Sequence, residues 1–265
     1  MLSSRHTAEL DELGYTLLPS WVPADLLAEL RATVARLYEL EGENAGSEFR
    51  LEPGCLRLAN LVDKGAVFQR VIAAPELLAL VRHVIGPDFK LSSLNCRTAL
   101  PGCAPQPLHA DMGGVADERG NWVCNVLWML DAYTPDNGPV RVVPGSHRWR
   151  RLPASELPDL RASHPAEKLI TAPAGSVVVM NAHTWHGGVD NRTQGHRTAL
   201  HAFYCRRDKP QQQYQKKLLR PEVQATLTTD LRALLALDDP LNDELANSTA
   251  PRSGFLPAPD RPRAY

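Results

Sequence analysis

A mainly β core flanked by α-helices is the architecture this sequence predicts. Two observations carry it. From residue 89 to about 205 the chain breaks into short apolar runs separated by Pro, Gly and Asn turns. On either side of that stretch, apolar residues recur at three- and four-residue spacing instead. A 265-residue chain, 43% hydrophobic and 22% charged, is long enough and apolar enough for one large core. No Gly/Ser-rich or charged linker divides it, so a single domain over residues 1–246 is expected.

The helical part comes first, over 1–88, with one strand in it. Pro23 suits a helix start, and Leu26, Leu27, Leu30, Val34, Leu37 and Tyr38 line one face of the helix after it. Pro75 opens a second helix through Leu77, Leu80, Val81, Val84 and Ile85, and Gly86 stops it. The core follows over about 89–208, with runs at 89–100, 122–130, 140–143, 169–171, 176–180 and 197–205. Many short strands with turn signals argue for a sandwich or barrel, and a jelly roll fits their count. Residues 209–246 turn helical again, with Leu231, Leu234, Leu235 and Leu237 on the last segment. A Pro-rich tail over 247–265, carrying Pro251, Pro257, Pro259 and Pro262, reads as mobile.

Charge and cysteine usage narrow the partners. A net charge of −1 shows no basic excess for a nucleic acid. The short cluster Arg148-Trp149-Arg150-Arg151 and the pair Lys216-Lys217 read as solvated surface. The N-terminal residues lack the apolar stretch of a signal peptide, and no segment approaches the ~20 apolar residues of a membrane helix. Cys55, Cys96, Cys103, Cys124 and Cys205 are scattered and form no CxxC pair, which fits buried thiols in a reducing cytoplasm. A cytoplasmic monomer or homodimer acting on a small molecule is the expectation, with no nucleic-acid or membrane partner.

The chemistry gathers at four residues. His109-Ala110-Asp111 follows a strand and a Pro/Gly turn, and residues two apart on extended chain point to one side. An imidazole and a carboxylate can therefore meet one metal ion. His186 stands at the end of an apolar strand beside Gly187 and Gly188, and supplies the second imidazole. Two His and one carboxylate occupy one face of an octahedron and leave three positions open, a set suited to Fe(II). Arg197 lies 11 positions past His186, at the start of the next strand. A hairpin would return it beside the metal, where its fork offers two bonds to a carboxylate.

Other residues compete or assist. His183 precedes His186 by three positions, which on a strand turns it to the opposite side. His201 shares the Arg197 face and either lines the pocket or packs in the core. Asn125 sits in an apolar strand and needs a partner, either the carboxylate of a bound ligand or a neighbouring backbone group. Asn95 and Arg97 alternate on the strand before His109 and face the same cavity, with Arg97 available to an anionic substrate or co-substrate. Arg50 and Arg57 are further possibilities for an anion. Residues 112–121, with Gly113, Gly114 and Gly120 as hinges, form either a lid or a plain surface loop. The irregular stretch 41–65 is placed as the other wall of the pocket.

The sequence resembles the phytanoyl-CoA dioxygenase family of Fe(II)/2-oxoglutarate-dependent oxygenases from Glu12-Leu13-Gly14-Tyr15 to about Asp208. The resemblance is strongest in His109-Ala110-Asp111, in residues 130–138 ending Pro135-Asp136-Asn137-Gly138, in Val142-Val143-Pro144-Gly145-Ser146-His147, and in His186-Gly187 with Asn191 and Arg197. It implies a double-stranded β-helix, or cupin-like jelly roll. It also implies Fe(II) on His109, Asp111 and His186, 2-oxoglutarate held by Arg197, and O2 as oxidant. Succinate and carbon dioxide are released, and hydroxylation is the usual outcome. His147 is implied to be structural. The carboxylate of Asp111 argues against halogenation, since halogenating relatives carry a small residue there. Two other readings stay open: a zinc hydrolase using the same ligands, and a non-catalytic jelly-roll binding module.

Overall fold

The computed structural model describes residues 3–49 and 52–249. The helical part contains α1 (Ser4–Glu12), β1 (Tyr15–Leu18), α2 (Ala24–Glu41), β2 (Cys55–Leu58), α3 (Ala66–Ile72) and α4 (Pro75–Ile85). Leu30, Val34 and Leu37 are the buried stripe of α2, as their spacing requires. Pro75 takes the first turn of α4, and Gly86, at φ +84°, ends it by donating its N–H to the Arg82 carbonyl. β2 was not expected. It is short and pairs with a neighbour far along the chain, so the local pattern of 41–65 gives no signal for it.

The core strands are β3 (Phe89–Ala99), β4 (Val123–Met129), β5 (Val140–Val142), β6 (Lys168–Ile170), β7 (Val177–Asn181), β8 (His186–Gly188) and β9 (Arg197–Arg206), with a short helix α5 (Pro153–Glu156) between β5 and β6. They form two antiparallel sheets of a jelly roll. The larger has the order β1-β7-β4-β9-β3-β2, and the smaller β6-β5-β8. A reciprocal backbone bridge between His109 and His186 extends the smaller sheet.

The larger sheet is covered on both faces, so β3 and β9 are near-continuous buried runs although several of their residues are polar. Its outer face packs Leu94, Val126, Trp128, Val179, Leu200 and their neighbours against α2, α3 and α4. Its inner face meets the smaller sheet through Leu127, Met129, Tyr133, Val142, Ile170, Val178, Met180 and Ala199. The C-terminal helices α6 (Gln215–Leu218), α7 (Pro221–Thr226), α8 (Thr229–Leu234) and α9 (Pro240–Thr249) close one flank. Buried Lys90 ties α9 to β3 by donating to Asn242 Oδ1 at 2.7 Å. α9 runs three residues into the stretch read as tail, and the remainder of that tail, like Arg50, lies outside the described residues. No helix among the described residues is long and apolar enough to cross a membrane.

Two connections differ from expectation. The apolar strand read as reaching His186 ends at Asn181, and a turn through Ala182–Trp185 intervenes, so His186 opens β8 in the other sheet. For the same reason β8 and β9 are no hairpin: β8 pairs with β5, whereas β9 lies between β3 and β4. Apolar runs do not report which sheet a strand joins.

Gly14, between α1 and β1, lies where three segments converge. Its φ is +84°, and a Cβ there would stand 2.2 Å from Thr184 Oγ1 and 2.6 Å from His147 Nδ1. Gly14→Ala combines a left-handed backbone with overpacking. It is expected to lower stability by ~2 kcal/mol or more, read as a lower urea midpoint at unchanged m; an unchanged midpoint would exclude the tight approach.

Candidate active site

The bridge that extends the smaller sheet also assembles the candidate metal ligands. His109 N–H donates to the His186 carbonyl at 2.9 Å, and His186 N–H returns a bond to His109 at 3.0 Å. The two rings stand 4.3 Å apart between centroids. Asp111 is fixed by its own N–H, which donates to the Ala182 carbonyl at 2.8 Å. Its carboxylate oxygens lie 3.7 Å from His109 Nε2 and 3.7 Å from His186 Nε2. One ligand atom from each residue falls within 4.8 Å of the others.

The tautomers suit a metal as well. His109 Nδ1 lies 2.9 Å from the Pro107 carbonyl, and His186 Nδ1 lies 2.8 Å from that of Thr184. A carbonyl only accepts, so each Nδ1 carries the proton and each Nε2 presents a lone pair. Burial pushes His186 down to about 4, with His109 adding to the shift, so the ring is neutral and able to ligate at neutral pH. Ligand bonds of roughly 2.1 Å put facial donors ~3 Å apart, so a small contraction completes the site.

His183 is excluded by its own bonds. Nε2 accepts from the Trp122 N–H at 3.0 Å, and Nδ1 lies 3.0 Å from the Gly114 carbonyl. With both nitrogens engaged, it staples the 112–121 loop to the turn before His186. Asp117 anchors the same loop to Arg206 and Lys209. The Pro-Gly-Ser-His turn holds the other side: Ser146 Oγ accepts from the Trp185 N–H at 2.8 Å, and His147 Nε2 lies 3.2 Å from the Asp11 carbonyl. His147 is therefore structural.

A cavity opens beside the triad between the two sheets. Side chains two apart on a strand share a face, and the register sets them in rows. Asn95, His201, Leu127 and Val178 form one; Ser93, Phe203, Asn125 and Met180 form the next. All of these line the cavity, as do Val140 and Ile170 from the smaller sheet. Asn95 Oδ1, Asn125 Oδ1 and His201 Nε2 are buried with no hydrogen-bond partner. The backbone alternative for Asn125 is thus not realised, and an inward polar group without a partner suits a ligand. Phe49 and Arg57 bring the 41–65 stretch to the cavity as its outer wall.

The arginines are placed differently from one another. Arg97 lines the cavity, but Nε and Nη2 form a two-pronged bond with Glu52 at 3.0 and 2.8 Å. Glu52 also receives Arg57 and, at 3.0 Å, Gln106 Nε2. This cluster holds the Glu52 carboxyl well below the usual carboxylate range, outweighing the burial that pushes it up. Arg197 sits on the same face of β9 as His201, with Ala199 between, but lies behind the lining. Its guanidinium stacks 4.3 Å from the Tyr133 ring centroid, Nη1 donates to Tyr133 Oη at 2.7 Å, and Nη2 donates to the Gly138 carbonyl. Nε is buried without a partner. Asn191 fixes the turn before it by donating to the carbonyls of Ala99 and Gly195.

Sequence reasoning passed over Glu52, Gln106, Tyr133 and Arg141. Arg141, 2% exposed inside β5, donates to the carbonyls of Gln106, Leu160 and Ala162 and so braces the segment entering His109. An arginine between two valines on a core strand was the available signal for it. Glu52, Gln106 and Tyr133 carry none, because their roles depend on partners distant in sequence.

Comparison with known proteins agrees with this geometry. The phytanoyl-CoA dioxygenase (PhyH) profile matches residues 10–199. The chain belongs to the phytanoyl-CoA dioxygenase family. It is an Fe(II)- and 2-oxoglutarate-dependent oxygenase. Among family proteins, it is 29% identical to the dioxygenase af480 of Aspergillus fumigatus over 87% of this chain and 75% of that one. It is 27% identical to the ectoine dioxygenase of Stutzerimonas stutzeri over 72% of each. The fold matches that of HygX from Streptomyces hygroscopicus, solved with nickel and 2-oxoglutarate, at a TM-score of 0.65 and 18% identity over 80% of this chain and 90% of that one.

Burial holds His183, like His186, at about 4 and also lowers His147 and His201. Each folded value lies below the ~6.5 of an unfolded histidine. The native state therefore binds fewer protons, and the stability from neutral burial is complete above pH ~6.5 and lost as pH falls toward 4. In metal-free protein, the Tm gap between wild type and His183→Gln is expected to narrow from pH 7 to pH 4.5. A gap independent of pH would show that His183 is not buried neutral.

Proposed function

We propose that this oxygenase hydroxylates an unactivated C–H bond of a small organic substrate, with iron on His109, Asp111 and His186 and 2-oxoglutarate reaching from that triad toward Arg197. The observation that carries this reading is the pair of Nε2 lone pairs converging with one carboxylate at the mouth of a cavity whose deep wall hides an arginine. Iron(II) and 2-oxoglutarate bound there supply an oxidant derived from O2, with succinate and carbon dioxide as co-products.

The protein's own groups then have distinct tasks. The two Nδ1–H bonds keep both imidazoles in the ligating tautomer. Tyr133 and Gly138 take two of the five guanidinium N–H donors of Arg197 and fix its plane, leaving three for a carboxylate. Asn125 is assigned to the co-substrate, and its orphaned Oδ1 marks the need for a partner. Asn95 and Arg97, on β3 beside the β2 edge of the sheet, are assigned to the side where co-substrate and substrate meet. Because Glu52 occupies two nitrogens of Arg97, only the Nη1 edge remains for an anion. Leu127, Val140, Ile170, Val178 and Met180 exclude water along the inner cavity, which strengthens each charged contact made there.

The zinc-hydrolase reading uses the triad but gives Arg197 no task, and the binding-module reading predicts a missing ligand where none is missing.

Two experiments test the assignments. Iron is expected to bind at one ion per chain; His186→Ala and Asp111→Gly should abolish 2-oxoglutarate turnover to succinate, and His183→Ala should keep most of it if folded. Near wild-type turnover by Asp111→Gly would remove that residue from the ligand set. For Arg197, charge-assisted bonds of roughly 1.5–3 kcal/mol imply a ten- to hundredfold weaker 2-oxoglutarate affinity in Arg197→Ala, with Arg197→Lys a partial rescue. Titration of 2-oxoglutarate into the anaerobic Fe(II) protein, followed by charge-transfer absorption, reads this directly. Unchanged affinity in a folded, iron-loaded Arg197→Ala protein would refute the co-substrate role.

A further inference from the structure

We propose that Cys55 and Cys103 are the two halves of a reversible disulfide that pins the outer wall of the cavity to the segment leading into His109. The two thiols lie 48 positions apart in sequence, yet their sulfurs stand 3.1 Å from each other. A disulfide needs about 2.05 Å, so roughly 1 Å of side-chain movement closes the bond. The backbones around the pair are already docked. Cys55 is the register partner of Ala99, Leu100 N–H donates to the Gly54 carbonyl at 3.0 Å, and Cys103 N–H donates to Leu100 at 3.0 Å. A Cβ on Gly54 would lie 3.1 Å from the Cys103 Cα.

The surroundings distinguish the two sulfurs. Cys55 is half-buried, which gives an oxidant a way in, whereas Cys103 is enclosed. Arg97 Nη2 donates to Cys103 Sγ at 3.6 Å, so a guanidinium stands beside the thiol pair. Burial pushes the Cys55 thiol up, and Arg97 pulls it back down. With hydrogen peroxide, one sulfur of the pair attacks one oxygen as its thiolate, the O–O bond breaks, and a sulfenic acid and one water result after protonation. The other thiol then attacks that sulfur, its proton leaves with the hydroxyl as a second water, and the S–S bond forms. Two thiols lose two electrons and two protons in all, and the peroxide takes up both.

The bond would bear on the cavity through Glu52. Cys55 closes a tight turn on Glu52, with its N–H on the Glu52 carbonyl at 3.1 Å. The Glu52 carboxylate holds Arg97 and Gln106, and Gln106 Oε1 accepts from the Gly188 N–H on β8 at 2.9 Å. Cross-linking therefore fixes the turn that presents Glu52 to the substrate side.

The intact chain, iron-free and treated with hydrogen peroxide, or iron-loaded and treated with diamide, is expected to lose two of its five thiols. It should lose about 2 Da, yield a 55–103 cross-linked peptide, and recover both thiols with dithiothreitol. Cys55→Ser and Cys103→Ser should each abolish the cross-link, and Cys96→Ser should behave as wild type. Hydrogen exchange over residues 52–58 should slow in the oxidised protein. Retention of all thiols, a different pairing, intermolecular dimers, or sulfinic acid without a cross-link would each overturn the proposal.

Discussion

The pair of backbone bonds between His109 and His186 is the contact on which the site depends. It fixes the spacing of two ligands that lie 77 positions apart, and it does so through main chain, so ring placement does not rely on the metal. Each of the surrounding devices keeps that bridge in register. Arg141 braces the segment entering it, the Ser146 hydroxyl holds the turn on the other side, and His183 ties down the neighbouring loop. A preformed facial set loses little ordering entropy when the metal arrives.

Burying so many polar groups between two sheets is costly unless each has a partner. Arg141 spends its donors on carbonyls, Arg97 on Glu52, and Arg197 on Tyr133 and Gly138. The amides of Asn95 and Asn125 and the ring of His201 break this rule at the cavity wall. Orphaned atoms also occur away from the cavity, at Trp128 Nε1, Arg141 Nε and Gln213, so it is the convergence of three of them on one cavity wall that marks a ligand site.

Among the described residues of the wall over 41–65 only short elements occur, and charge adds to what holds it: one carboxylate, Glu52, gathers two arginines and a glutamine. A thiol pair lies beside that knot. The substrate side is therefore organised by a few side chains on this wall, while 2-oxoglutarate is assigned to the inner end, against the larger sheet.

By itself, the sequence determined the fold class, most strand positions and the three candidate ligands that the fold brings together, because these are local signals. Apolar runs bounded by Pro and Gly mark strands, and a His-x-Asp pair with a later His-Gly and an arginine at fixed spacing marks the chemistry. It also ranked His186 above His183, although the reason given, alternation along a strand, is not the physical one, since His183 lies in a turn with both nitrogens engaged. Tertiary structure decided the rest. Sheet membership placed His186 on β8 and Arg197 on β9 without a hairpin, because strand pairing is set by partners that no local pattern names. Pairing across long separations also decided that Arg97 is half-occupied by Glu52, that Tyr133 cradles Arg197, and that two of five scattered cysteines touch. Spacing along the chain fixes which side chains share a face, but only the closed sandwich fixes which of them meet.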